Sequence, residues 1–271
     1  CIRDSDAVAR LKAQLPEHPS VDELTPLADD YTGLRILAVH AHPDDESSKG
    51  SASAAAYTDR GARYMVATMT GGERGDILNE EIKHSPRAHR DLPGMRRSEM
   101  AAAAKAIGIE HRWMGFVDSG LPEGDPMPPL PFGCFGVQPL ERAAAPLVRL
   151  VREYRPHVMI SYDEIGGYPH PDHIMSHKVA VEAYEKAGDP EAYVGEGQPW
   201  APLKLYYDRA FNPERLVAGH EFLMARDGQS VFSGWVENLV DQVSTEGIRH
   251  ESTTRIPSSV YFDRRDQAML A

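Results

Sequence analysis

Four short apolar runs, each separated from the next by a helical pattern, constrain the fold of this chain more than any other feature. The first run has the continuous apolar character of a strand that is buried on both faces, and the other three are also predicted to be strands. The runs are "LRILAVH" (34–40), "RYMVATMT" (63–70), "HRWMGFV" (111–117) and "HVMISY" (157–162). Helical patterns cover Ser47–Arg60, Met95–Ile107 and Leu140–Tyr154. This alternation predicts an α/β fold with a Rossmann-like, doubly wound and mostly parallel sheet.

The two ends of the chain depart from this pattern. Residues 1–33 are polar, with a helical pattern only around Asp6 to Leu15, and we predict that they form an N-terminal extension wrapping the domain. Residues 34–271 are predicted to form a single α/β domain, in which the alternation weakens after about residue 210. In this last part, "ESTTRIPSS" (251–259) predicts one more strand, and a helix is predicted to begin near Val260.

Polar segments follow the predicted strands at the point where each strand ends. They comprise residues 40–46, 71–76, 118–119 and 163–173. In a doubly wound sheet, ligands bind beyond the carboxyl ends of the strands, where the strand order reverses. We therefore expect these segments to meet at the C-terminal edge of the strands.

Two of these segments contain motifs of the same form, "HPDD" at His42–Asp45 and "HPDH" at His170–His173. Proline restricts its own φ and pushes the preceding residue towards an extended conformation, so each motif is a stiff turn. Imidazole nitrogen and carboxylate oxygen are ligands of zinc, and a catalytic site keeps one position open for water. A divalent cation also turns the mutual repulsion of clustered carboxylates into attraction. The pair of motifs predicts a metal site.

A purely structural interpretation is favoured for either motif taken alone. A single H-P-D is an ordinary turn in which the aspartate caps the following helix. Asp45 and Glu46 would then be negative charges that stabilise a helix N-terminus. Because two matching motifs occur, each after a predicted strand, a metal site is the better hypothesis.

The same residues carry a resemblance to a known family. "AVHAHPDDESSKG" (38–50), "TGGERGDILN" (70–79), "FVDSGLP" (116–122) and "GGYPHPDH" (166–173) resemble the LmbE-like (PIG-L) zinc-dependent de-N-acetylases. The resemblance extends from about residue 34 to about residue 207. It implies a metal-dependent hydrolase of a linear amide C–N bond, with one catalytic Zn²⁺ ion and with Fe²⁺ as the alternative metal in the cell.

The resemblance implies roles for the residues of both motifs. His42, Asp45 and His173 resemble the zinc ligands of the family. Asp44 resembles its general base, which takes a proton from the attacking water. A carboxylate beside the metal but not bound to it suits this role, because zinc lowers the pKa of water towards neutrality.

Three further residues are expected to act on the reacting amide. His170 resembles the residue that stabilises the oxyanion or protonates the departing amine, and Asp172 is expected to hold it. Tyr168 resembles a mobile tyrosine that assists the tetrahedral intermediate. For Tyr168 taken alone, a packed loop aromatic is an equally good interpretation.

Four residues are predicted to bind substrate. Lys49 lies one helical turn beyond Asp45, and Arg74 lies between glycines in a loop that can approach a ligand closely. Arg96 resembles an arginine that contacts inositol in the family. Asp118 follows a strand at the same edge and is expected to contact sugar hydroxyls or to orient His170. A solvated lysine and an ordinary arginine at a helix N-terminus are the structural alternatives for Lys49 and Arg96.

The motifs "ESSKG" and "GGERGDILN" favour one branch of the family. That branch hydrolyses mycothiol S-conjugates, which are glycoside-thiol conjugates, to glucosaminyl-inositol and an N-acetylcysteine S-conjugate. The alternatives are the branch that deacetylates N-acetylglucosaminyl-inositol and, given the N-terminal extension, a specialised relative in natural-product biosynthesis. A sugar-binding module without catalysis is disfavoured because Asp44 and all three candidate ligands are present.

Charge and cysteine content exclude other classes of partner. The net charge of −12 argues against nucleic acid or an anionic membrane, since phosphate binding needs a basic surface. Cys1 and Cys134 are the only cysteines, too few for a disulfide framework, which favours the cytoplasm. We find no signal-peptide pattern and no apolar run long enough to cross a bilayer. Whether the protein forms a homo-oligomer is left open.

Overall fold

A computed structural model describes residues 26–77, 79–124, 126, 128–208, 213–237 and 253–271. The chain divides into two compact units. One comprises Leu27–Ala210 with Ser258–Ala271, and the other comprises Cys1–Pro26 with Phe211–Pro257. The first unit contains the sheet and both motifs. The helical pattern predicted around residues 6–15 lies outside the described residues, and the single domain from residue 34 onwards stays a prediction.

Five strands form one parallel sheet in the first unit. They are β1 (Arg35–His40), β2 (Arg63–Thr70), β3 (Glu110–Phe116), β4 (Val158–Ser161) and β5 (Lys204–Tyr207). The strand order is β3-β2-β1-β4-β5, so the order reverses between β1 and β4. The predicted doubly wound, Rossmann-like α/β fold is therefore confirmed. Both H-P-D motifs follow the two strands that flank the reversal.

Helices cover both faces of this sheet. The α-helices described in this unit are α1 (Asp45–Ser48), α2 (Ser51–Thr58), α3 (Pro86–Arg90), α4 (Leu92–Ile107), α5 (Leu140–Tyr154), α6 (Pro171–Lys186) and α8 (Phe262–Met269). In the second unit, α7 spans Pro213–Asp227. Alternate residues of β1 point to opposite faces, so Leu37 and Val39 pack among residues of α5 and α6. Ile36 and Ala38 pack among residues of α2, α4 and α8.

The predicted elements agree with the observed ones where the pattern is strong, apart from shifts of one to three residues at some ends, and they differ more at two places. β2 and α5 have the predicted bounds. The helix predicted over Ser47–Arg60 is broken, because Lys49 is extended and Gly50 adopts a left-handed conformation with φ of 82°. The strand predicted over 251–259 is wrong for residues 253–258, which lie in no strand. The helix predicted near Val260 is confirmed as α8.

Candidate metal centre

The three predicted metal ligands lie together at the reversal point of the sheet. His42 and Asp45 follow β1, and His173 lies in the first turn of α6. Asp45 Oδ2 is 3.7 Å from His42 Nδ1 and 3.7 Å from His173 Nε2, and all three side chains are buried. Tetrahedral zinc with ligands at 2.0–2.1 Å separates its ligand atoms by about 3.4 Å. The observed spacing therefore fits a small divalent cation.

The hydrogen bonding of His173 leaves one ring nitrogen for a metal. Its Nδ1 lies 2.9 Å from the carbonyl oxygen of Gly166, which can only accept, so Nδ1 carries the proton. Its Nε2 is buried and has no hydrogen-bond partner among the described residues. Burial lowers the pKa of His173 to about 4, so the imidazole is neutral. A neutral imidazole with a free lone pair facing a carboxylate is suited to metal binding.

His42 is oriented by carboxylates on the side away from Asp45. Its Nε2 lies 3.2 Å from Asp172 Oδ2 and 3.7 Å from Asp118 Oδ1, which leaves Nδ1 facing Asp45. Burial lowers the pKa of His42, but the carboxylates of Asp118, Asp172 and Asp45 outweigh it and raise the pKa to about 10. This part of the site thus favours a positive charge. A bound divalent cation supplies that charge, and carboxylate–histidine–metal arrangements are common around zinc.

Asp172 holds His170 through its backbone rather than through its carboxylate. The Asp172 N–H donates to His170 Nδ1 at 3.1 Å. The Asp172 carboxylate instead accepts hydrogen bonds from His42 and from the N–H and hydroxyl of Ser119. Because His170 Nδ1 accepts, the proton of the neutral ring is on Nε2. Burial lowers the pKa of His170 to about 4, so the ring acts as a neutral donor.

Asp44 is the exposed acid of the cluster, with 66% of its side chain accessible to solvent. Its φ of 120° is unusual for a residue with a side chain, and such strain is typical of functional sites. Arg96 Nη2 lies 3.9 Å from Asp44 Oδ2. Desolvation by the surrounding protein and the neighbouring Asp45 carboxylate raise the pKa of Asp44 to about 6. A carboxylate with a raised pKa beside a metal site is suited to accept a proton.

We expect Asp44→Asn to stabilise the metal-free protein at about pH 7.5, by about 1 kcal/mol or less because solvent screens this exposed charge. The pKa of Asp44 is raised in the folded state from an ordinary value of 3.8, so ionisation of Asp44 favours the unfolded chain. The ionised carboxylate therefore destabilises the folded protein increasingly as the pH rises from 3.8, the ordinary pKa, to about 6, the pKa in the folded state. Urea unfolding should show an advantage of the variant at about pH 7.5 that vanishes near pH 4. An identical difference at both pH values would contradict this assignment.

Lys49 lies against the metal cluster. Its ammonium contacts Asp45 Oδ1 and lies 5.8 Å from the centre of the Tyr162 ring, with only 9% of the side chain accessible. Burial alone would raise the pKa of Asp45, but Lys49 and the histidines hold it well below its usual range. The lysine is therefore not a solvated surface residue. Its predicted contact with substrate stays a prediction.

The other three predicted substrate residues line the same edge. Arg96 packs so closely on the loop after β2 that a Cβ at Gly72 or Gly75 would collide with its guanidinium. The Arg74 N–H donates to Asp118 Oδ2 at 3.0 Å, and the Arg74 guanidinium donates to the Asp118 carbonyl. Arg74 thus ties the loop after β2 to the loop after β3. The buried Asp118 carboxylate faces His42, and its contact with sugar hydroxyls stays a prediction.

Two tyrosines border the cluster, and only one of them is predicted from the sequence. The Tyr168 ring lies edge-on to His173 with a centroid distance of 4.6 Å, and burial raises its pKa to about 12, so it keeps its proton. Tyr162 is the residue that sequence reasoning misses. Its hydroxyl donates to Asp45 Oδ2 at 2.6 Å, and its ring stacks on His173. The only signal for Tyr162 in the sequence is its position directly after β4.

The comparison with known proteins agrees with this geometry. The family model described as PIG-L, GlcNAc-PI de-N-acetylase, matches residues 37–184, which is more than half of the chain. The chain belongs to the PIG-L family. The matched range includes every site residue described above.

Members of the PIG-L family with curated activities are similar to this chain over most of its length. This chain is 46% identical over 240 residues to the mycothiol S-conjugate amidase of Streptomyces coelicolor, and the match covers 88% of this chain and 81% of the relative. It is 42% identical over 246 residues to the 1D-myo-inositol 2-acetamido-2-deoxy-alpha-D-glucopyranoside deacetylase of Thermomonospora curvata, covering 89% and 80%. Both relatives hydrolyse amide bonds, and this chain is an enzyme of the same kind.

A solved structure supports the fold. The N,N'-diacetylchitobiose deacetylase of Pyrococcus horikoshii superimposes with a TM-score of 0.53 and 16% identity, covering 84% of this chain and 85% of that one. PIG-L deacetylases depend on a metal, and His42, Asp45 and His173 could hold one here. Within the described ranges, no helix combines the length and apolar character needed to cross a membrane.

Proposed function

We propose that this enzyme is a zinc-dependent amidase that hydrolyses the amide of mycothiol S-conjugates. The observation that carries the proposal is the buried cluster of His42, Asp45 and His173 with Asp44 exposed beside it. The 46% identity to an amidase with that substrate supports the choice of substrate. The products would be glucosaminyl-inositol and an N-acetylcysteine S-conjugate.

The surrounding side chains suit the proton transfers of amide hydrolysis. When bound to the three ligands, a zinc ion supplies Lewis acidity to the reacting groups. Asp44 takes a proton from the attacking water while the water oxygen bonds to the carbonyl carbon of the amide. The same proton then goes to the amine nitrogen as the C–N bond breaks. The neutral His170 donates a hydrogen bond from its Nε2–H to the carbonyl oxygen as that oxygen becomes negative and keeps this proton, and Tyr168 assists in the same way.

We propose that Lys49 recognises the larger acyl arm of the conjugate. The cysteinyl arm carries carbonyl and amide groups that need partners, whereas an acetyl group offers fewer. A charge-assisted hydrogen bond contributes roughly 1.5–3 kcal/mol, which corresponds to about ten- to hundredfold in rate. Lys49→Ser should therefore lower kcat/KM for a mycothiol S-conjugate by about that factor and change hydrolysis of the acetylated sugar little.

Two control variants make the Lys49 comparison interpretable. Lys83→Ser removes a lysine that pairs with Glu80 on the exposed surface, and it should change neither rate. Arg96→Ala should slow both substrates alike, because both contain inositol. If Lys49→Ser slowed the hydrolysis of both substrates equally, the effect would come from the contact of Lys49 with Asp45, and Lys49 would not be a recognition residue.

Deacetylation of N-acetylglucosaminyl-inositol is the second candidate. It is favoured by the 42% identity to a deacetylase over nearly the same length of chain. Purified zinc-loaded enzyme offered both substrates at equal concentration should hydrolyse the S-conjugate with the higher kcat/KM. A higher kcat/KM for the acetylated sugar would replace the amidase assignment by this one.

A further inference from the structure

Tyr162 joins the two halves of the metal centre. It is completely buried and follows β4 directly. Its hydroxyl contacts Asp45 from the first motif, and its ring stacks on His173 from the second motif. The ring centroids of Tyr162 and His173 are 4.4 Å apart with an interplanar angle of 14°. One side chain thus contacts ligands from both strands that flank the reversal.

The direction of the hydroxyl bond is fixed by a second partner. The Ala41 N–H donates to the Tyr162 oxygen at 2.8 Å, and a backbone amide cannot accept in return. The single hydroxyl proton is therefore committed to Asp45 Oδ2 at 2.6 Å. That oxygen is also the one that lies 3.7 Å from a nitrogen of each ligand histidine. The bond holds the carboxylate with this oxygen towards both imidazoles.

We propose that Tyr162 is a positioning residue of the metal centre, which directs Asp45 and His173 towards the same point without contacting substrate. The inference rests on the metal-dependent hydrolysis proposed above. Residues that orient metal ligands through hydrogen bonds typically change metal affinity by about 10- to 100-fold when they are replaced. Phenylalanine at position 162 keeps the stacked ring and removes only the hydroxyl.

The test compares the zinc affinity of Tyr162→Phe with that of Tyr154→Phe. Tyr154 is also buried, but it lies at the end of α5, and its hydroxyl has no hydrogen-bond partner in the described part of the chain. Competition with a chromophoric chelator should give a zinc Kd about 10- to 100-fold weaker for Tyr162→Phe and unchanged for Tyr154→Phe. Zinc binding of Tyr162→Phe as tight as in the wild type would overturn the proposal.

A second measurement separates metal positioning from a purely structural role. Removing the hydroxyl also leaves the Ala41 N–H without its partner, which lowers the melting temperature of the zinc-free and zinc-loaded forms alike. The rise in melting temperature on adding zinc should be smaller for Tyr162→Phe, because weaker binding stabilises the folded state less. An unchanged rise would count against the proposal even if the variant were less stable.

Failure of this inference can be told apart from failure of the proposed function. Neither readout uses a substrate, so a wrong choice of substrate leaves both results intact. His173→Ala is measured in parallel under the same conditions. If His173→Ala bound zinc as tightly as the wild type, His173 would not be a zinc ligand. The metal centre would then lie elsewhere, and the proposed role of Tyr162 would be wrong as well.

Discussion

Asp44→Asn lowers kcat for amide hydrolysis by roughly a hundredfold or more, while the variant binds as much zinc as the wild type. This is the expected result because Asp44 lies outside the three ligands and has an exposed carboxylate. Asparagine keeps the shape of the side chain and tolerates a positive φ, so the backbone at this position can remain as it is. The substitution removes the negative charge and, with it, the ability to accept a proton.

The control for this prediction is a charge removed elsewhere. Asp263→Asn changes an exposed carboxylate of α8 and should leave both zinc content and kcat unchanged. The zinc content of each variant is measured by atomic emission and its kcat at saturating substrate. If Asp44→Asn lost zinc in proportion to activity, Asp44 would be a ligand, and the general base would have to be sought elsewhere.

His173→Ala should abolish tight zinc binding and hydrolysis together. The variant removes one of three ligands, so the loss of affinity should exceed the roughly 10- to 100-fold that replacement of a supporting residue costs. The Nε2 of His173 lies 3.7 Å from Asp45 Oδ2 and is buried without a hydrogen-bond partner among the described residues. Equilibrium dialysis against zinc, followed by an activity assay, checks both parts.

His177→Ala is the matched control on the same helix. His177 lies one turn further along α6, and its Nδ1 contacts the Tyr162 carbonyl oxygen at 3.0 Å. The spacing between His173 and His177 could also suggest a second metal ion. We expect His177→Ala to bind the same amount of zinc per chain as the wild type. Zinc content that fell by half in this variant would indicate a dinuclear site instead.

The part of the fold that follows from apolar periodicity can be predicted from the sequence. β2 and α5 have the predicted bounds because each is a continuous run with one period and clear ends. The predicted helix from Ser47 breaks at Lys49 and Gly50, where the lysine contacts Asp45. Helix propensity alone does not include that tertiary contact. The strand predicted from "ESTTRIPSS" is wrong for residues 253–258 because short polar runs carry no decisive pattern.

The sequence predicts that the three candidate metal ligands lie close together, but it does not predict which residues contact and orient them. Two H-P-D motifs after two strands place His42, Asp45 and His173 at one edge, because parallel strands end on the same side. The carboxylate of Asp172 supports His42 instead of His170, and this choice depends on the relative position of two loops. Tyr162 ends an apolar run, so the sequence favours a core residue. Only the packed structure brings its hydroxyl to Asp45.

A titration of the zinc-free enzyme with Zn²⁺ tests the central claim most directly. Bound zinc and the rate of hydrolysis of a mycothiol S-conjugate are measured on the same samples. Because the cluster offers three buried ligands around one position, activity should rise in proportion to bound zinc up to a single ion per chain and then stay constant. Full hydrolysis before any metal is bound would contradict the account.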